Sequence, residues 1–169
     1  MAKKRSIKKV QLATLIVVGE GPCDKAFLAY MKSLYDVKET GQKVKLDAAD
    51  GGNPSIMLKD MDRKYKHADY DKRVLFIDSD VEVTQDILAR AKRLGIEIVQ
   101  SKPLCLEGML LDLLGCKVPH TSQACKEVLH PRLKGRPTQA QSYQVLFPKN
   151  ILDNTGKEAI VRMRKLLKN

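Results

Sequence analysis

Residues 13–24 read Ala-Thr-Leu-Ile-Val-Val-Gly-Glu-Gly-Pro-Cys-Asp. The run from Ala13 to Val18 is short, apolar and rich in β-branched residues, and it stops at a glycine. That pattern suits a strand buried on both faces. The next segment, Pro22 to Tyr35, repeats Phe27, Leu28, Met31, Leu34 and Tyr35 at helical spacing. Pro22 is placed to occupy the first turn of such a helix. A buried strand that turns through glycine into an amphipathic helix is the opening half of a βαβ unit.

The chain then repeats the alternation. Val44, Leu46 and Ala48 alternate with charged residues and predict a second strand near a sheet edge. Residues 50–54, Asp-Gly-Gly-Asn-Pro, form a turn into a helix, with Asn53 as N-cap and Pro54 at the first helical position. Val74 to Ile77 is another buried strand, and Thr84 to Leu94 a helix closed by Gly95. Ile96 to Val99 is a further strand, and Glu107 to Leu114 a helix closed by Gly115. Repeated alternation of this kind predicts an α/β fold with a parallel sheet flanked by helices.

From Lys117 the pattern changes. The chain is basic and turn-rich through Pro131, Gly135 and Pro137 and ends in an amphipathic helix from Thr155 to Leu167. The expected organisation is an α/β core over 1–115 that includes a basic N-terminal tail. A helical, basic C-terminal extension over 116–169 packs on the same domain.

The 169 residues are enough to bury a real core. At 43% hydrophobic and 30% charged, the composition is that of an ordinary globular protein rather than a disordered one. With no Trp and few other aromatics, the core must be mostly aliphatic. The net charge of +11 and pI near 9.5 favour a polyanionic partner, since each phosphate neutralised releases a counterion. The basic N-terminus runs through Leu12–Val18 into a charged helix without a small-residue cleavage site, so a cytoplasmic protein is expected. No stretch approaches the roughly 20 apolar residues of a membrane span, which argues against a membrane partner.

Three acidic signals follow predicted strands. They are Glu20, the pair Asp78 and Asp80 with Glu82 beyond it, and Glu107. Ligands of open parallel sheets bind outside the carboxyl ends of the strands, so these acids can converge although far apart in sequence. Converging carboxylates repel and call for a cation. A hard ion such as Mg2+, with Mn2+ as the alternative, prefers carboxylate and water oxygens. Such an ion neutralises phosphate oxygens and polarises a nucleophile.

These residues resemble the Toprim domain family, whose pattern is a glutamate after the first hydrophobic strand and an Asp-x-Asp after a later one. Within that group the chain is most similar to the RloB-like proteins. Residues 19–24, Gly-Glu-Gly-Pro-Cys-Asp, correspond to a first motif of roughly CEGxTE. Residues 76–80, Phe-Ile-Asp-Ser-Asp, match an FDxD-like second motif, and Ser101 through Leu114 resembles a third of roughly SNPCFExWLLLHF. The Gly-Gly-Asn-Pro turn fits between the first two. The third motif carries one extra residue between its serine and glutamate, Lys102 stands in place of Asn, and Gly108-Met109 replaces a Trp-containing pair.

The resemblance implies a Toprim-like sheet and a Mg2+-dependent nuclease acting on DNA or RNA, of the kind linked to restriction or phage defence. Glu20 is then the general acid/base, with a place among the metal-site residues. Asp78 and Asp80 are metal ligands supplemented by Glu82, and Glu107 is a further acid of the catalytic set. Two other readings stay open. One is a non-catalytic, RNA- or ribosome-associated binding module, and the other a phosphatase of small phosphate esters.

Remaining signals are weaker. Lys102 stands beside the predicted acids and pairs with a carboxylate or substrate phosphate, or is a plain surface lysine. Arg132, Lys134 and Arg136, with Lys149, Arg162, Arg164 and Lys165, form a phosphate-binding face or a solvated one. Cys116, His120, Cys125 and His130 lack the spacing of a zinc knuckle, and the four cysteines are expected as free thiols. Cys23 sits at a helix start, but no base is identifiable beside it, and Gly19-Glu20-Gly21 lacks the lysine of a P-loop.

Overall fold

A computed structural model describes residues 13–37 and 41–168. The basic N-terminal tail with Lys3, Lys4, Arg5, Lys8 and Lys9 lies outside the described residues. Four strands, β1 (Ala13–Gly19), β2 (Gln42–Ala48), β3 (Lys72–Asp78) and β4 (Ile96–Ser101), form one sheet in the order β2-β1-β3-β4. Every pairing is parallel. Between them run α1 (Pro22–Tyr35), α2 (Pro54–Tyr65) and α3 (Gln85–Arg93). After β4 come α4 (Leu106–Leu113), α5 (Ser122–Leu129), α6 (Lys149–Asn154) and α7 (Glu158–Lys168). The fold is therefore α/β, an all-parallel sheet flanked by helices, with helices in the C-terminal region.

The central strands read as continuous apolar runs because both faces are covered. Successive strand side chains point to opposite faces. Leu15, Val17, Val74 and Phe76 face a cluster built with α1, α4, α5 and α7. Ile16, Val18, Leu75 and Ile77 face a second cluster built with α2. Phe27 and Met31 of α1 are fully buried in the first cluster. Each contributes about 1.5–3 kcal/mol by leaving water. β2 is one of the two edge strands, and its alternation of buried Val44 with exposed Lys43 and Lys45 follows from having one covered face.

Helix boundaries follow local chemistry. Asn53 caps α2 by accepting from Ile56 N at 3.0 Å, with Pro54 in the first turn. Thr84 caps α3, and Thr121 caps α5 through Ala124 N. Gly95 and Gly115, with φ of 65° and 71°, take the left-handed conformation that ends α3 and α4.

The C-terminal region departs from the sequence expectation. One helix was expected from Thr155, but α7 starts at Glu158 and a separate helix, α6, precedes it. Pro148 starts α6, and Thr155-Gly156 breaks the chain between the two. The region joins the main core. Phe27 meets Tyr143 edge-on at 5.5 Å, and Tyr30 Oη donates to Phe147 O at 2.7 Å. Among the described residues, no helix is long and apolar enough to cross a membrane.

Candidate active site

β1 and β3 are neighbours in register, with Gly19 beside Phe76, so the residues that follow them emerge side by side. Glu20 Oε2 accepts from the backbone N–H of Asp78 at 3.0 Å. Asp78 Oδ1 accepts from Ser101 Oγ at the end of β4 and from Leu106 N at the start of α4, each at 3.1 Å. The carboxylate of Asp78 thus sits at a helix N-terminus, where the backbone dipole favours negative charge.

The β4–α4 loop is tied to the β3 loop through Leu104. Its carbonyl accepts from Ser79 N at 2.9 Å and Asp80 N at 2.8 Å. Leu104 itself takes φ 61°, a left-handed conformation that costs energy in a residue with a side chain.

Glu20, Asp78 and Glu107 line one cleft of about 450 Å3, together with Cys23, Asp24, Asp50 and Lys126. Three of the acids named from sequence are therefore brought together. Asp80 is not among the lining residues. It is exposed, and its Oδ2 accepts a hydrogen bond from Ser122 Oγ at the first position of α5. Glu82 is exposed beyond it.

Lys102 is exposed and lines a separate recess with Gln100, Glu158 and Arg162. Ser101 points inward and Lys102 outward, because adjacent strand residues alternate. Arg132, Lys134 and Arg136 are exposed, and Arg132 Nη1 contacts Cys116 Sγ at 3.1 Å.

Asp24 is a site residue that the sequence reading passed over. It lies four residues after Glu20, in the first turn of α1 and inside the first motif, and only 7% of it is exposed. Its Oδ2 accepts from Gly21 N at 2.9 Å, while buried Oδ1 has no hydrogen-bond partner. Gly19 leaves room for this packing, since a Cβ there would stand 2.7 Å from Asp24 Cβ. Burial first, then the charge of Asp78, pushes the Asp24 carboxyl up to about 8. Burial and Glu20 push Asp78 up to about 6. These shifts are those of carboxylates crowded into a site that is short of positive charge.

Lys126 and His130 approach these acids from the C-terminal region, and the Lys126 ammonium supplies some of that charge. His130 Nε2 lies 2.8 Å from Glu107 Oε1, and the Glu107 side chain is nearly fully buried. Burial draws the Lys126 ammonium down, but the carboxylates of Glu107 and Asp78 outweigh it and raise it on balance. The two residues are four apart and so share one helix face, a spacing legible in sequence but with no partner visible there.

Cys23, Glu107 and His130 place one ligand atom each within 4.8 Å of one another. The histidine missing from the sequence reading of Cys23 is thus supplied by a residue 107 positions later. Burial and then Glu107 raise the Cys23 thiol, which disfavours a free nucleophilic thiolate. Cys125 is fully buried, and His130 turns to Glu107. All four cysteines are free thiols.

The fold and cleft define an α/β protein with a carboxylate cluster at the carboxyl edge of a parallel sheet. Comparison with known proteins finds no matching family model, no matching curated protein and no matching solved structure.

Proposed function

We propose that this protein is a divalent-metal-dependent nuclease that hydrolyses phosphodiester bonds of DNA or RNA, with Mg2+ as its ion and Mn2+ as a substitute. One observation carries the reading. The carboxylate of Glu20 is bonded to the backbone of Asp78 across adjacent strand ends, and Glu107 opens into the same cleft. The likeness of the three motifs to RloB-like Toprim proteins supports it and suggests a role in restriction or phage defence.

The residues fit a hard cation. The crowding raises the carboxyls of Asp78 and Asp24, and Asp24 keeps an unpartnered buried oxygen. Asp78 would hold the ion beside Glu20, and Asp80 would join it on exchanging its bond to Ser122. A bound Mg2+ supplies charge neutralisation and Lewis acidity at a phosphate.

The chain's own groups do the rest. Glu20 holds Asp78 N–H with one oxygen and keeps the other for proton transfer at the scissile phosphate. Lys126 offers an ammonium to a phosphate oxygen from the cleft wall. The exposed Arg132, Lys134 and Arg136 bind the polyanion along its backbone.

The engagement of Asp80 with Ser122 outside the cleft favours a second reading, a nucleic-acid-binding module without catalysis. Both readings are separated by incubating the full chain with end-labelled DNA and RNA in Mg2+ or Mn2+, against a chelator control. Metal-dependent cutting that Glu20→Gln abolishes supports the nuclease. Binding without cutting supports the module. Turnover of a simple phosphate ester with polynucleotide left intact points to a phosphatase instead.

A further inference from the structure

The cleft holds a second donor set whose chemistry differs from that of the carboxylates around Asp78. Cys23 stands in the first turn of α1, Glu107 in the first turn of α4, and His130 directly after α5. Three elements remote in sequence thus deliver a sulfur, an oxygen and a nitrogen to within 4.8 Å of one another. We propose that Cys23, Glu107 and His130 form a site for a thiophilic divalent ion of the Zn2+ class, with its remaining coordination position open to the cleft.

Donor softness selects the ion. A thiolate and an imidazole suit Zn2+ or Co2+, whereas Mg2+ prefers oxygen and holds its waters. The spacing is close to what such an ion needs. Bonds of about 2.0–2.3 Å in a tetrahedron keep donors about 3.3–3.8 Å apart. The three atoms, within 4.8 Å of one another, lie about an ångström or less from that range.

His130 Nε2 and Glu107 Oε1 share a hydrogen bond at 2.8 Å. Ligation would replace that hydrogen bond, with the neutral imidazole binding through Nε2 and carrying its proton on Nδ1, and Cys23 would release its thiol proton to solvent. Three protein ligands leave a fourth position for water or a phosphate oxygen, as in catalytic rather than structural zinc sites. Cys23 and Glu107 both line the cleft, so this position faces the place where a substrate would lie.

Lys126 lines the same wall and competes with the ion for Glu107. Its neutralisation by Lys126→Gln should therefore tighten the ion's binding.

The inference does not depend on nuclease activity, because its test reads coordination directly. The metal-free full chain is titrated with Co2+ alone, and the near-ultraviolet sulfur-to-cobalt charge-transfer band is followed. Zn2+ is then added to displace it. One Co2+ per chain with a thiolate band that Zn2+ removes is expected. Cys23→Ser should abolish the band, His130→Ala should weaken binding about tenfold or more, and Cys116→Ser should leave both unchanged. A band that survives Cys23→Ser overturns the assignment, as does the absence of any band in the folded wild-type chain. Circular dichroism of each variant separates loss of a ligand from loss of fold.

Discussion

Glu20 and Asp78, 58 residues apart, are joined by a 3.0 Å hydrogen bond from the backbone N–H of Asp78 to Glu20 Oε2. The contact exists because β1 and β3 are adjacent and in register at their carboxyl ends. It fixes one carboxylate against the loop that carries the other, so the pair is held together by backbone geometry rather than by mutual attraction.

Asp78→Asn is expected to abolish metal-dependent cutting while leaving the chain folded. The amide oxygen keeps the bonds from Ser101 and Leu106 N, and the crowded negative charge is gone. The metal-free variant should be more stable than wild type at pH 8, by about 1–3 kcal/mol given a carboxyl raised by about two units. Urea denaturation in a chelator checks the stability, and retained cutting would remove Asp78 from the metal site.

The metal-free protein should lose stability as pH rises from about 4 to about 8. Asp24 is ordinarily ionised above 3.8, but the native state holds its proton up to about 8. Asp78 acts in the same sense up to about 6. In both cases the folded chain binds more protons, so stability is full below the ordinary value and declines through the raised one. Asp47 acts oppositely. Burial works against its charge, but hydrogen bonds from Lys64 and Tyr65 hold it at about 2, and its contribution fades only as pH falls toward that value. Asp24→Asn should flatten the alkaline decline, measured as urea midpoints at about pH 5 and pH 8 in chelator. An unchanged slope would mean that Asp24 ionises normally.

Gly108→Ala should destabilise the protein by about 2 kcal/mol or more, the gain in helix propensity being smaller than the clash. A Cβ there would stand 2.4 Å from Pro103 O, a backbone atom of the loop that carries Leu104. Since Leu104 O holds Ser79 N and Asp80 N, the shift should also lower divalent-ion affinity. Thermal melting with and without Mg2+ reads both effects. A variant as stable as wild type would show that the loop yields freely.

Nucleic-acid binding should be steeply salt-dependent. With about six phosphates contacted, affinity for duplex DNA falls by roughly three orders of magnitude between about 50 and 200 mM salt. Replacing exposed Arg132, Lys134 and Arg136 together by Ala should reduce the logarithmic slope by up to about 2.7. Asp78→Asn should leave it nearly unchanged. Fluorescence anisotropy against salt measures this, and a flat profile would exclude a polyanionic partner.

The sequence by itself determined the strand–helix alternation, because burial on two faces writes itself into the chain as continuous apolar runs such as Leu15–Val18 and Val74–Ile77. It also placed Glu20 and Asp78 at strand ends, since in parallel sheets the loops after strands share one edge. The helix cap at Asn53 was legible because capping is a local bond.

What joins Cys23, Glu107 and His130 was not legible. The three lie on helices from different parts of the chain, and only side-chain packing brings them within reach. The partner of Asp80 was decided the same way, by the placement of α5 and Ser122. Lys102 was aimed away from the acids by the alternation that turned Ser101 inward. Periodicity specifies which face of an element is buried, but the identity of what it is buried against is set only when distant elements dock.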